Sequence, residues 1–311
     1  MRIIFVPQYP TPNRYPEWWL WRFPKEFRKA GFEVLVLGED YLKLEEIEAG
    51  KAEMFSPINN AIAFETDQIN EYMELVLRDD DILFLADVSF PGIFCSTLYH
   101  KKPSRCFAFC HATSINNFDY FQPLRDSKFL VETAHAHLFD KVFVGSEYHK
   151  NKLGWANTVV TYLPNPDHIK TFEKETKVNS IVSASRPTQQ KVDLYLEKKV
   201  ERELRLKIVR QETETAEEYY KFLGQSQVLL ITAFEDTFGY QIVDAINNGC
   251  IPIARNNYAY PELLAREYLY ESDREIFTLL EKALWGLLPL PRLQCKEQMK
   301  NFFNKIIKEM M

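Results

Sequence analysis

The residues of this chain best suited to chemistry lie in one stretch, Phe234-Glu235-Asp236-Thr237-Phe238-Gly239-Tyr240-Gln241-Ile242-Val243-Asp244-Ala245. Ionised carboxylates at Glu235, Asp236 and Asp244 accept hydrogen bonds and can grip sugar hydroxyls. Between them Phe238 and Gly239 open a helix-like segment. Backbone amides at a helix start face an anion, so the amides of the Phe238-Gly239 pair can grip a phosphate. Acids and amides together outline a nucleotide-sugar site.

The elements that must position this motif follow from apolar patterning. Met1–Pro7, an amphipathic stretch and then Ala30–Leu37 read strand, helix, turn, strand, the opening unit of a parallel sheet. Strands are expected near 2–6, 33–37, 82–86, 105–110 and 141–145, then at 180–184, 205–209, 227–232 and 251–254. At 311 residues the chain exceeds the usual single domain. It divides into a first domain over 1–168 and a compact second domain over 169–293, with Pro164-Asn165-Pro166-Asp167 as hinge. Residues 294–311 carry helical apolar spacing at Met299, Phe302, Phe303, Ile306 and Ile307. No repeat or low-complexity tract interrupts this plan.

On these motifs the chain resembles the retaining glycosyltransferases of family 4, over nearly its whole length. The resemblance implies an α/β fold of the GT-B type, two Rossmann-like domains facing across a cleft, with the C-terminal helix returning to the first domain. Asp236 and Asp244 stand where the family has two acids seven residues apart around a Phe-Gly pair, usually both Glu. Each Asp is one methylene shorter, so either the sugar sits closer or Glu235 takes the first role. By the same resemblance Asp236 contacts the sugar, Asp244 accepts hydrogen bonds from ribose hydroxyls, and Phe238, Gly239 and Tyr240 complete the donor site. Ser180–Ser185 reads as a buried strand ending at Arg186, five residues before Lys191. An Arg and a Lys at that separation bind the donor diphosphate in the family, where fixed cations stabilise the leaving group. Ser185 and Val192 replace glycines common there. Lys141–Tyr148 is similar to the family's late strand and Ser-Glu helix start, and Tyr162–Asp167 to its Pro-Asn-Gly turn, with Pro166 for the glycine.

His111 closes the strand-like run Cys106–Cys110 and would face the crevice at the carboxyl end of a parallel strand. The resemblance gives it contact with the transferred sugar and the developing charge, not the role of base. Asn116, Asn117, Asp119 and Tyr120 follow; they are turn formers or acceptor contacts, with Asp119 the candidate acceptor-side base. Where the family has a Gly-Gly turn this chain has Gln8–Pro16, without glycine, so Asn13 or Arg14 replaces the missing amides or the loop serves the acceptor. Trp18, Trp19, Trp21 and Phe23 are either the packed face of the first helix or an aromatic platform for the acceptor. Pro24 is expected to kink that helix. Asp79-Asp80-Asp81 precedes a strand and reads as a solvated turn, not a metal motif. Neither metal nor resident cofactor is implied; a nucleoside diphosphate sugar is the donor substrate.

Five cysteines without regular spacing form neither a disulfide framework nor a zinc pattern, no apolar run approaches the ~20 residues of a membrane span, and no signal peptide opens the chain. A cytoplasmic protein is expected. A net charge of −6 gives no general attraction for nucleic acid. Basic clusters at Arg22, Lys25, Arg28 and Lys29, and at Lys101, Lys102 and Arg105, are either solvated faces or a local DNA surface. The resemblance implies as acceptor classes hydroxymethylated pyrimidines in DNA, as in small GT-B enzymes of viruses, a lipid-linked sugar, a polysaccharide end and a small metabolite. A non-catalytic nucleotide-binding relic of the fold is the rival reading, and an epimerase a third. Phe277–Leu290 reads as core packing or a membrane contact.

Overall fold

Continuous apolar runs form the strands, as parallel strands covered on both faces require. The computed structural model describes residues 1–10, 15–39, 58–88, 102–117, 124–166, 170–185 and 191–311. Its first half contains β1 (Arg2–Val6), α1 (Tyr15–Lys29), β2 (Glu33–Val36), α2 (Ile58–Glu74), β3 (Asp81–Leu85), β4 (Arg105–Cys110), α3 (Arg125–Ala136), β5 (Lys141–Val144), α4 (Glu147–Leu153) and β6 (Thr158–Val160). The second contains β7 (Asn179–Val182), α5 (Leu194–Leu204), β8 (Ile208–Val209), α6 (Ala216–Gly224), β9 (Ser226–Leu230), α7 (Tyr240–Asn247), β10 (Ile251–Arg255), α8 (Tyr260–Leu263), β11 (Leu269–Tyr270) and α9 (Asp273–Leu284). Two short helices, α10 (Lys296–Lys300) and α11 (Phe302–Met310), close the chain.

The strands make two parallel sheets, ordered β2-β1-β3-β4-β5-β6 and β11-β10-β9-β7-β8. Both are open sheets that reverse direction next to their first strand. Every expected strand is present; β6 and β11 are additional. The expected terminal helix is interrupted at Asn301, yet its apolar face is buried at Met299, Phe302, Phe303 and Ile306. It packs on the first sheet: the Phe302 ring lies 5.7 Å from Trp19, 5.8 Å from Phe23 and 5.9 Å from Phe109. Arg105 also donates to the Met310 carbonyl, and Lys305 Nζ to that of Val160 at 2.6 Å.

The structure decides between several of the readings above. Helix α1 runs unbroken through Pro24. Proline there leaves the Leu20 carbonyl without its intrahelical donor, and burial of Trp19, Phe23 and Phe27 along one face offsets that loss. The aromatic residues thus form the packed face, and Trp18, expected on the acceptor side, is 9% exposed and edge-on to Trp19. Asp81 is not a solvated turn residue: it is buried in β3 and accepts from Arg2 Nε at 2.9 Å and Nη2 at 2.6 Å. Helix α9 buries Ile276, Leu280 and Ala283, the core reading of that stretch, while Trp285, Leu287 and Leu290 beyond it are exposed. No helix among the described residues is long and apolar enough to cross a membrane.

Candidate active site

The acidic motif occupies the loop between β9 and α7, at the carboxyl edge of the second sheet, and it faces the first sheet across the seam. Gly239 begins the helix with φ +96°, a region glycine enters freely and other residues do not. A Cβ there would stand 3.1 Å from Leu263 and Tyr260. Gly239→Ala is therefore expected to destabilise the fold by about 1–2 kcal/mol, the cost of a left-handed residue with a side chain. Urea unfolding measures it, and an unchanged midpoint would mean the loop tolerates another path.

Asp236 is the anion that the helix start holds. Its Oδ1 accepts from the amides of Phe238 at 3.1 Å and Gly239 at 2.8 Å, and its Oδ2 lies 3.4 Å from Lys191 Nζ. The expected phosphate cradle is corrected to this extent: those two amides already serve a carboxylate of the protein. Tyr240 instead sends its hydroxyl to the Pro164 carbonyl at 2.9 Å, and the Phe238 ring is buried beside it. Lys191 and Asp236 are both partly exposed, which leaves the lysine able to turn to an incoming anion.

Glu235 takes a different part from either role expected of it. It is 1% exposed, accepts from the Asn117 amide at 2.7 Å and from Tyr148 Oη at 2.9 Å, and forms an ion pair with Lys152. Tyr148 and Lys152 lie one turn apart on α4 in the first half of the chain, so this carboxylate bolts the two sheets together. Parallel contacts reinforce it. Glu262 accepts from the Glu147 and Tyr148 amides at 2.9 and 2.8 Å, capping α4 from the opposite side. Ser146 donates to the Thr237 carbonyl, and Thr237 Oγ1 donates to the His111 carbonyl at 2.9 Å.

His111 ends β4 as expected and its ring packs between Trp19 and Phe109, at 4.4 and 4.6 Å. Burial pushes its pKa well below the ordinary value and nearby His149 pushes the same way, against a hydrogen bond to the Ala86 backbone. A neutral imidazole can hydrogen-bond a sugar but carries no fixed positive charge. Sequence reasoning missed His149, which is fully buried with both ring nitrogens lacking hydrogen-bond partners, its pKa lowered by burial to about 3. Asn116 is buried too, its Oδ1 without a donor.

Asp244 lies on the second turn of α7. It is 7% exposed, and its oxygens accept from Tyr220 Oη at 3.2 Å and Tyr219 Oη at 3.3 Å. Burial raises its carboxyl to about 7, and the two tyrosine hydroxyls oppose that shift. The structure thus presents Asp244 to α6 rather than as an open ribose acceptor. The Tyr219-Tyr220 pair was the signal in the sequence: two hydroxyls on an otherwise apolar helix face imply a buried acceptor. Arg186, Asp119, Asn13 and Arg14 lie outside the described residues, as does Asp167 of the hinge. Among the described residues no group of three His, Cys, Asp or Glu could hold a metal ion.

No family model matches the chain. A tRNA-queuosine alpha-mannosyltransferase of Drosophila melanogaster is 34% identical over 88 residues, which are 28% of this chain and 22% of that protein. The match therefore spans under a quarter of that relative's length. Among solved structures, the lipopolysaccharide outer core galactosyltransferase WaaB in its apo form aligns over 100% of this chain and 99% of its own, with TM-score 0.63 and 13% identity. Sucrose-phosphate synthase from Thermosynechococcus elongatus aligns over 100% and 97%, with TM-score 0.62 and 11% identity. Two parallel-sheet α/β domains, full-length alignment with these glycosyltransferases and a terminal helix returned to the first sheet establish that this chain has the GT-B fold.

Proposed function

We propose that the chain is a retaining glycosyltransferase that takes a sugar from a nucleoside diphosphate donor. The observation that carries this reading is the placement of Asp236, Lys191 and the Phe238-Gly239 turn at the carboxyl edge of one sheet, opposite His111 at the carboxyl edge of the other. Lys191 and Arg186 hold the diphosphate and stabilise it as it leaves, without a metal ion. Asp236 releases Lys191 to the diphosphate and meets the sugar. His111 hydrogen-bonds the sugar as a neutral imidazole, and Asp244 meets the ribose once a tyrosine hydroxyl yields.

Lys191→Ala is expected to weaken nucleoside diphosphate binding by about 1.5–3 kcal/mol, the scale of hydrogen bonds to a charged group. Calorimetry with uridine, guanosine, adenosine and thymidine diphosphates, with and without EDTA, measures it; unchanged affinity would remove Lys191 from the donor site. The anomeric configuration of the product, read by proton NMR, tests retention.

The acceptor we favour is a hydroxyl of a modified nucleoside in RNA, supported by the local match to a tRNA-modifying enzyme. A duplex DNA surface gains less support: Lys102 donates to the Leu138 carbonyl, Arg105 to that of Met310, and Arg22 and Lys29 both pair with Glu26. Labelled donor offered to bulk tRNA and to hydroxymethylated DNA separates the two. One observation favours a non-catalytic nucleotide-binding module as second reading: the acids of the motif already have protein partners. Donor binding without turnover on any acceptor, or by hydrolysis, would select it.

A further inference from the structure

Lys191 and Asp236 meet at 3.4 Å although they stand 45 positions apart in the chain. The spacing of that pair is set by the arms that carry it. Two residues after Lys191, Asp193 caps α5, its Oδ1 accepting from the Leu196 amide at 3.0 Å while its own amide donates to Thr232 Oγ1 at 3.0 Å. Two residues before Asp236 stands Phe234. Arg255, the last residue of β10, touches both: its Nη2 donates to Asp193 Oδ2 at 2.9 Å, and its guanidinium lies 5.7 Å from the centre of the Phe234 ring and 5.6 Å from that of Tyr270. A planar guanidinium can bind a carboxylate at its edge while its faces meet rings. Since β10 and β7 flank β9, this one side chain reaches across the carboxyl end of the middle strand to the segment that follows β7.

Resting on the transferase reading, we propose that Arg255 is a positioning residue for the donor: it fixes the Lys191 arm against the Asp236 arm and so presents the lysine to the diphosphate. The arginine itself stays off the donor. Its Nη2 is committed to Asp193 and its Nε is buried. Lysine carries a point charge on a flexible stem, so the reach of its ammonium is decided by where its backbone is held, and a misplacement of ~1 Å is enough to spoil alignment with a bound group. Val192, between Lys191 and Asp193, is buried, which passes the anchor at Asp193 on to the lysine. The Asp193–Arg255 pair is partly exposed and adds only modestly to stability. Its loss is therefore expected in binding before it is expected in folding.

A double-mutant cycle on the full chain tests this, read by calorimetry with uridine, guanosine, adenosine and thymidine diphosphates, the tightest of the four being carried through all variants. Arg255→Met keeps an apolar stem against Phe234 and Tyr270 but removes the bond to Asp193. It is expected to weaken binding by about tenfold, most of one hydrogen bond to a charged group. In the Lys191→Ala background the same substitution should change affinity by less than about twofold, because residues that act through one another are not additive. An equal loss in both backgrounds overturns the proposal, since it would mean direct contact with the donor or general loosening. Asp193→Ser keeps a capping oxygen for α5 and falls short of Arg255, so it should reproduce the loss, and it carries the test if Arg255→Met does not fold. Wild-type affinity in Asp193→Ser overturns the proposal as well. The two readings fail separately: unchanged affinity in Lys191→Ala, or no binding by the wild type, removes the donor site and this inference with it, whereas a loss confined to Lys191→Ala removes this inference alone.

Discussion

Asp244→Asn is expected to stabilise the protein above neutral pH by about 2–4 kcal/mol, an unusual direction for a substitution in a donor motif. The carboxyl of Asp244 is held near 7 in the fold, against 3.8 for an ordinary Asp. An acid with a raised folded pKa contributes stability that is complete below its unfolded pKa and is lost as pH rises through the folded one. Between about pH 4 and pH 7 the unfolded chain releases a proton that the folded chain keeps, so wild-type stability falls across that window. The full difference corresponds to about 4 kcal/mol, and water penetration lowers it. Asparagine does not titrate, can accept from one tyrosine and donate to the other, and removes the fall. Urea unfolding at pH 4.5 and pH 8 measures both the gain and the flattened profile. Equal stability losses in the two proteins between those pH values would show that Asp244 ionises freely. The same variant should bind ribonucleotides less well relative to their deoxy counterparts if the carboxylate reaches the ribose.

Lys152→Met carries the largest loss. It strands the Glu235 carboxylate at 1% exposure between the two sheets, where among the described residues Tyr148 and the Asn117 amide remain to satisfy it. Removing one member of a buried ion pair costs about 3–5 kcal/mol; Lys152 is 16% exposed, so the lower end applies. The cost can be met by global destabilisation or by parting of the sheets. Small-angle scattering and proteolysis near Asn165 distinguish the two, and the pairing of Lys152→Met with Glu235→Gln should recover most of the loss because no charge is left behind. A double variant as unstable as the single one would show that the ion pair is not the source.

The parts legible in the sequence are those written locally. β1, β3 and β4 are runs of apolar residues whose length and composition identify buried strands, and β4 was read to the residue. β6 and β11 are three and two residues long, too short for any period to show; neighbouring strands, not their own composition, make them strands. At Pro24 the local cost is visible in the sequence, while the contacts that keep the helix continuous come from Phe84 and Phe302, remote in the chain. The motif was legible as spacing, and its Phe-Gly pair as a helix start. What its acids touch was not, since Tyr148, Lys152, Tyr219 and Tyr220 reach them from other elements. Glu235 shows this best: adjacent to the acid that resembles the family's first, it serves the seam between the sheets.

The seating of α11 on the first sheet has a consequence for synthesis on the ribosome. Trp19, Phe23 and Phe109 emerge early, but the ring that covers them, Phe302, is made after the whole second sheet. At about 5–20 residues per second the gap is on the order of tens of seconds. During that interval the nascent chain carries an aromatic groove without its own lid. The order of translation therefore runs against the order of packing, and the first unit to be made is the last to be finished.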